Sequence, residues 1–360
     1  MLLTHLHSWP ATRRGGERYL HELAAGLARA GHRPIILSTA ERRSRGAIEG
    51  VQVWWLKARP GPVKKYGEFA PEVAFAAACW VSAQRRRPDV WHALGTADAA
   101  AAAIGSPLLP GTSVYTDLGI PHRPYRASRQ DFGLYRRVVE KIGTYVTLSE
   151  HAAFELSVGF GRSADVIPGG IRSAAFRPHP RDPNPTLLYS GALTEPRKNV
   201  ALLLEAAVAL RPQVPGLQVW LSGPGDAAAL VGSVPGAEKV VTRARLDPRD
   251  ELCRLYGAAW VTVLPSVDEA QGLVVLESLA SGTPVVVRRD GGGPPEMVDE
   301  SCAVLSGSTA QELGVAIVEA LELAQRPEVV AACRTRAELY DWDRVIVPRL
   351  TSAYRSSRAR

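Results

Sequence analysis

Short apolar runs of strand length alternate with longer stretches of helical periodicity along the whole chain, and the alternation starts twice. Runs such as Ala259–Leu264 are apolar without a break, which fits strands of parallel sheets covered on both faces. That pattern restricts the fold to α/β layers. In the first half the expected strands are Leu2–His7, Pro34–Ser38, Val51–Leu56, Asp89–His92, Thr112–Thr116, Tyr145–Leu148 and Val166–Ile167. Helical patterns cover Glu17–Ala30, Ala70–Arg86 and Tyr135–Ile142. The second series has strands at Thr186–Ser190, Gln218–Ser222, Val240–Thr242, Trp260–Leu264, Pro284–Val287 and Ala303–Leu305. Its helices are expected over Asn199–Leu210, Arg249–Tyr256, Gly272–Ser281, Ala310–Gln325 and Pro327–Leu339.

Between the two series lies a Pro/Gly-rich stretch, Ile167-Pro168-Gly169-Gly170 through Pro178-His179-Pro180-Arg181-Asp182-Pro183, which reads as an interdomain linker. The length of 360 residues allows two domains, and 46% hydrophobic against 22% charged residues supplies two cores. Two successive doubly wound domains place ligands in a cleft at the carboxyl ends of their strands. No apolar run approaches the ~18 residues of a membrane helix, and the N-terminus is too short and polar for a signal-peptide core. The four cysteines form no C-x-x-C pair, so neither a disulfide framework nor a zinc site is expected, and a cytoplasmic location fits.

The net charge of +7 is unevenly spread. Residues 1–176 hold 23 Lys+Arg against 14 Asp+Glu, or +9, whereas residues 177–360 hold 20 against 22, or −2. The clusters Arg42-Arg43-Arg45, Lys64-Lys65 and Arg85-Arg86-Arg87 bias the first half toward an anionic partner, or serve as solvated helix ends and loops.

The sharpest constellation is Pro265-Ser266-Val267-Asp268-Glu269-Ala270-Gln271-Gly272-Leu273-Val274-Val275-Leu276-Glu277. A strand ends at Pro265 and a helix opens near Gly272, where backbone N–H groups and the helix dipole can receive a phosphate or hydroxyl. Glu269 falls in the entry loop and Glu277 inside the helix, so the two carboxylates are expected to meet different parts of an extended ligand rather than share a proton.

This segment resembles the E-x7-E signature of glycosyltransferase family 4, retaining enzymes of the GT-B fold. The similarity continues through Ser281-Gly282-Thr283-Pro284-Val285-Val286 and Gly292-Gly293-Pro294-Pro295-Glu296-Met297-Val298. It extends upstream to Gly15-Gly16-Glu17-Arg18 with Ala30-Gly31-His32, to Pro88-Asp89-Val90-Trp91-His92-Ala93, and to Pro168-Gly169-Gly170-Ile171 ahead of Phe176-Arg177-Pro178. Asp341-Trp342-Asp343-Arg344 resembles the tryptophan that enters the family's C-terminal helix. The blocks occur in the family's order over nearly the whole chain.

The resemblance implies two Rossmann-like domains facing across a cleft: residues 1–172, acceptor-side and joined by the C-terminal helix 341–360, and residues 173–340, binding the nucleotide sugar. It implies roles as well. Glu277 would accept from ribose hydroxyls, and Glu269 would face the donor sugar beside the N–H groups of Gln271, Gly272 and Leu273. Lys198 would neutralise the donor diphosphate, whose oxygens gain charge as the glycosidic bond breaks. Gly15, Gly16 and Gly191 would let backbone approach the donor closely. Catalytic assignments fall on Glu269, Lys198 and Asp117, and acceptor-side ones on His92, Asp117 and His122.

Several positions depart from the family pattern. Gly191-Ala192-Leu193 stands where the family has G-R-L, whose arginine is the second diphosphate cation; Arg197 is the candidate replacement, its side chain turned either toward the diphosphate or away from it. Asp117 stands where a histidine is common, with His122 a second candidate. Glu269-Ala270-Gln271-Gly272 replaces E-G-F-G.

Other features read as structural. Asp341-x-Asp343 imitates a D-x-D metal motif but fits a helix cap, and His5-x-His7 fits a strand edge. The expected reaction is transfer from a nucleotide-diphosphate sugar, UDP-linked first (UDP-GlcNAc or UDP-glucose) and GDP-mannose second, to a hydroxyl of a small-molecule acceptor, with no metal or other cofactor and no nucleic acid. A membrane lipid acceptor, an acidic carrier protein and a non-catalytic sugar-nucleotide binder are the alternatives. No amphipathic basic helix with exposed Trp or Phe is evident, which disfavours the membrane.

Overall fold

The computed structural model describes residues 1–7, 15–57, 70–105, 108–121 and 129–358. The chain divides into two compact units, one of residues 1–170 with 342–360 and the other of residues 171–341.

The first unit has strands β1 (Leu2–Thr4), β2 (Ile35–Ala40), β3 (Ser44–Ile48), β4 (Val51–Lys57), β5 (Val90–Ala93), β6 (Thr112–Asp117), β7 (Thr144–Thr147) and β8 (Asp165–Val166). Its helices are α1 (Gly15–Arg29), α2 (Ala70–Arg86), α3 (Thr96–Gly105), α4 (Arg129–Lys141) and α5 (Glu150–Phe160). The sheet order is β3-β4-β2-β1-β5-β6-β7-β8, parallel except for β3. That edge strand was not expected from the sequence, because its exposed Ser-Arg-Gly-Ala run has no apolar alternation. Arg45 on β3 and Arg86 at the end of α2 lie 3.9 and 3.5 Å from the Trp54 ring centroid, so two members of the basic clusters stack on an indole. Lys64 and Lys65 lie outside the described residues.

Helix α3 is also new. Its Ala-rich sequence is apolar on every face and has no period to read, yet Ala99, Ala100, Ala102 and Ala103 are all buried. Small side chains let it pack closely: a Cβ on Gly105 would come within 2.7 Å of the Trp80 ring. Helix α5 begins at Ser149, whose hydroxyl accepts from Ala152 N, and ends on Gly161 at φ +66°.

The second unit carries β9 (Thr186–Ser190), β10 (Gln218–Ser222), β11 (Val241–Arg245), β12 (Val261–Leu264), β13 (Val285–Arg288) and β14 (Ala303–Ser306). The helices are α6 (Val200–Leu210), α7 (Ala227–Gly232), α8 (Arg249–Ala258), α9 (Leu273–Ala280), α10 (Ala310–Ala324) and α11 (Val329–Glu338). All pairings are parallel in the order β11-β10-β9-β12-β13-β14. Separate apolar clusters form around α6 and α10 and around α9 and α11, which is why β12 and β13 are buried along their whole length.

The chain then returns to the first unit through a π-helical turn, Trp342–Ile346, and α12 (Val347–Arg358). Trp342 is buried there: its Nε1 donates to Glu22 Oε2 at 2.8 Å and its ring meets Tyr19 edge-on at 5.3 Å. Asp343 also has a long-range partner. It takes a bidentate pair from Arg29, at the end of α1, with Nη2–Oδ1 at 2.7 Å. His5 and His7 lie in a turn beyond β1, not on the strand, with His5 Nδ1 2.8 Å from the His7 carbonyl.

The structure also corrects the expectation about exposed aromatics. On α2, Val73, Trp80 and Val81 are 57%, 38% and 41% exposed and share an outward stripe that leads to Arg85–Arg87.

Candidate active site

In the second unit the strand order reverses between β9 and β12, and the loops that leave those neighbouring strands run toward opposite halves of the sheet. Such a switch point opens a crevice at the carboxyl edge. The loop after β9 brings Gly191 through Lys198, and the loop after β12 brings Pro265 through Gly272.

The two loops are stitched together by backbone. Val267 N donates to Arg197 O at 2.9 Å, and Asn199 Nδ2 to Pro265 O at 3.1 Å. Arg197 and Lys198 sit in one 3-10 turn, Pro196–Lys198, that ends on Asn199 at φ +50°. From there both cations reach the same carboxylate: Lys198 Nζ bonds Glu269 Oε1, and Arg197 Nη1 lies 3.0 Å from Glu269 Oε2. Arg197 Nε also pairs with Glu195 Oε1.

Glu269 is 8% exposed. Burial pushes its carboxyl up, but Lys198 and Arg197 together outweigh that and hold it below the usual carboxylate range. Burial works against the charge of Arg197 as well, yet Glu269 and Glu195 raise its pKa further, so it stays fully charged. The backbone of Glu269 is pinned from the loop after β13: its N–H donates to Gly291 O at 3.0 Å, and Gly293 N–H donates to its carbonyl at 2.8 Å.

Gly272 precedes α9 at φ +82° with no side-chain cap on the helix, and Leu273 is the first helical residue. Glu277 is buried within α9, its Oε2 accepting from Tyr256 Oη at 2.8 Å. Tyr256, near the end of α8, went unremarked in the sequence; a lone tyrosine in the last turn of a helix carries no motif. Gly191 follows β9, and its loop is laced to the loop after β10 through Gly191 N–Ser222 O at 2.9 Å and Leu193 N–Pro224 O at 2.8 Å. Tyr189 Oη donates to Ala192 O at 2.9 Å, so the residue that replaces the family arginine belongs to a backbone clasp.

The first-unit candidates are placed differently. Asp117 ends β6 with its carboxylate turned inward: Tyr135 and Tyr145 hydroxyls donate to Oδ2 at 2.8 and 2.7 Å, and Gly119 N to Oδ1 at 3.1 Å. With Asp117 only 3% exposed, this arrangement suits a carboxylate that anchors α4 and β7 better than one that meets an acceptor. His92 is 1% exposed, with Nδ1 2.8 Å from Tyr354 Oη and Nε2 2.7 Å from Thr116 Oγ1. Burial lowers its pKa to about 3, so the ring is neutral, and it ties α12 to the sheet. Gly15 and Gly16 open α1, and a Cβ on Gly16 would come 3.0 Å from Leu118 Cδ1. His122 lies outside the described residues. Among the described residues no group of three His, Cys, Asp or Glu could hold a metal ion, and no helix is long and apolar enough to cross a membrane.

One functional consequence of Glu277 is open to direct measurement. Glu277→Ala is expected to weaken binding of a nucleoside diphosphate at least about tenfold, as loss of a charge-assisted hydrogen bond costs roughly 1.5–3 kcal/mol. Titration calorimetry reads it, and unchanged binding would remove Glu277 from the ribose role.

Residues 13–174 match the family described as Glycosyltransferase Family 4, and residues 184–323 match Glycosyl transferases group 1. The D-inositol 3-phosphate glycosyltransferase of Pseudarthrobacter chlorophenolicus is 30% identical over 316 residues, which cover 76% of this chain and 74% of that protein. Against two further relatives of the same name, from Acidothermus cellulolyticus and Segniliparus rotundus, the aligned part spans 45% and 36% of their length. Among solved structures, sucrose-phosphate synthase of Thermosynechococcus elongatus superposes with a TM-score of 0.83 at 21% identity, covering 99% of this chain and 98% of that one. Anabaena HepE in complex with UDP-glucose gives 0.74 at 18% identity, covering 98% and 99%. These likenesses establish the GT-B fold. Matches across both halves, a relative aligned over three quarters of each chain and this fold agree: the chain has the GT-B fold and belongs to glycosyltransferase family 4.

Proposed function

We propose that the second unit holds the diphosphate of a nucleotide sugar at Lys198 and Arg197, and that the enzyme transfers the sugar to a hydroxyl of a small-molecule acceptor with retention at the anomeric carbon. The observation that carries this reading is the convergence of two cations on the Glu269 carboxylate, beside the uncapped start of α9, at the switch point of the sheet. As the bond from the anomeric carbon to the phosphate oxygen breaks, charge gathers on the leaving diphosphate, where fixed cations and backbone N–H groups stabilise it. The acceptor oxygen bonds the anomeric carbon from the same face, and its proton passes to the leaving phosphate. A carboxylate held by two cations, such as Glu269, is a weak nucleophile, which favours this route over a covalent intermediate.

UDP is the favoured nucleotide, on the analogy of HepE, which was solved with UDP-glucose; GDP is the alternative. The relative's name, D-inositol 3-phosphate glycosyltransferase, and the +9 balance of residues 1–176 both fit a small polyol acceptor bearing a phosphate. The test is a donor-by-acceptor screen that reads nucleoside diphosphate release and product mass, with and without EDTA. Release that requires acceptor and persists in EDTA is expected. Release without acceptor, or loss in EDTA restored by magnesium, would sink the respective part.

A second reading, a membrane-lipid acceptor, has its own observation in the exposed Val73, Trp80 and Val81 stripe leading to Arg85–Arg87. Tryptophan and arginine at an apolar border suit an anionic bilayer surface. Strong, salt-sensitive flotation of the protein with anionic vesicles would favour it over the soluble acceptor.

A further inference from the structure

Arg197 and Lys198 are neighbours in a 3-10 turn, where successive side chains diverge by about 120°. They nevertheless meet at one carboxylate, so something must turn one of them back. Lys198 reaches Glu269 Oε1 with no other partner among the described residues. Arg197, by contrast, is held at three points: Nε on Glu195 Oε1, and Nη1 on both Glu269 Oε2 at 3.0 Å and the Asp268 carbonyl at 3.5 Å.

Glu195 sits immediately before Pro196, whose ring fixes the start of the turn, in an extended conformation at φ −79° and ψ 118°. Its carboxylate comes round onto the inner Nε edge of the guanidinium. The Glu195 side chain is 40% exposed, so its ion pair adds little to folding stability. What it supplies is geometry. An unrestrained arginine has rotamer freedom to lose on binding a ligand, and the Nε contact removes much of that freedom in advance.

The donors left over point to the ligand. An ammonium has three N–H groups and a guanidinium five. Lys198 spends one on Glu269, and Arg197 leaves both N–H groups of Nη2 without an acceptor among the described residues. Glu269 and the part-exposed Glu195 balance the two cations in charge, but several N–H donors stay unspent. That suits a ligand with two adjacent anionic groups better than a single carboxylate would.

We propose that Glu195 is a positioning residue that holds Arg197 beside Lys198 as the second cation for the donor diphosphate. The proposal rests on the donor-site reading above. It assigns the second cation to Arg197, which carries the charge from the adjacent turn while Ala192 remains part of the backbone clasp.

A double-mutant cycle on the full chain tests it, with UDP and GDP titrated calorimetrically. Lys198→Ala and Arg197→Ala should each weaken binding of whichever nucleotide the native chain binds more tightly. Glu195→Gln should weaken it about 3- to 10-fold, in keeping with coupling energies between residues in direct contact. In the Arg197→Ala background the same change should cost nothing further, and Glu195→Asp should recover part of the loss. A merely structural glutamate would give additive losses. A Glu195→Gln affinity within twofold of native, or a loss that adds fully to that of Arg197→Ala, overturns the proposal. If binding is lost in Lys198→Ala yet indifferent to Glu195→Gln, the donor site stands and only the role of Glu195 falls. A native chain that binds neither nucleotide overturns both.

Discussion

Lys198→Ala is expected to lower turnover with the nucleotide sugar about 100-fold or more, the usual loss when one preorganised charge stabiliser is removed. The size follows from where the charge sits. Lys198 is largely shielded, with 15% of its side chain exposed, and its partner Glu269 is shielded more, so the interaction is weakly screened by water. In the proposed reaction the diphosphate gains charge as the glycosidic bond breaks, and the ammonium is already in place when that happens. Its removal also changes Glu269. Burial pushes that carboxyl up, and with only Arg197 left to oppose it, the ionised form loses its largest stabilising partner. Steady-state rates at saturating donor measure the loss, with thermal unfolding as the check that the fold is intact. Turnover within tenfold of native would mean that Lys198 does not face the leaving group.

Much of the second unit could be read directly. Beta strands 9 and 10 begin and end where the expected runs do, because each run is flanked by Gly or Pro, with β9 buried along its length and β10 alternating part-buried with buried residues. The elements that escaped notice are those whose stability comes from tertiary context. Helix α3 packs against both α2 and α4, so its alanine run is a packing surface with no period to read in the sequence. Strand β3 pairs antiparallel at an edge and is exposed, so its Arg45 read only as charge.

The candidate site shows the same division. The loop carrying Glu269 and the helix carrying Glu277 follow from a strand, a left-handed glycine and an apolar helix in succession. The partner of Glu269 does not, because Lys198 lies 71 residues away and only the adjacency of β9 and β12 brings the two together. The direction of Arg197 was equally hidden, since it depends on a contact from Glu195 that sequence spacing cannot orient. The setting of His92 was hidden for a simpler reason. A histidine near the end of a parallel strand looks the same whether it points to the carboxyl edge or into the core, and here Tyr354 of α12 claims its ring.

Gly292→Ala should be a severely damaging single-methyl change near the site, because two separate requirements meet there. The residue has φ +92°, a region that costs a non-glycine residue about 1–2 kcal/mol. A Cβ built on it would also lie 2.4 Å from the carbonyl oxygen of Glu269, a backbone atom that cannot swing aside. Relief requires opening the bridge between residues 269 and 292, with the hydrogen bonds from Glu269 N to Gly291 O and from Gly293 N to Glu269 O at stake. Each is worth about 0.5–1.5 kcal/mol, so a total loss of about 2–5 kcal/mol in denaturant unfolding is expected, together with a fall in turnover of about 100-fold, since a misplacement near 1 Å at a reacting site has that order of cost. Gly31→Ala separates strain from collision. Gly31 has a similar φ of +86° but nothing within 4 Å of the added carbon, so it should cost about 1 kcal/mol and leave turnover unchanged. If Gly292→Ala behaves like Gly31→Ala in both measurements, the pinning of Glu269 by the loop after β13 has no bearing on catalysis.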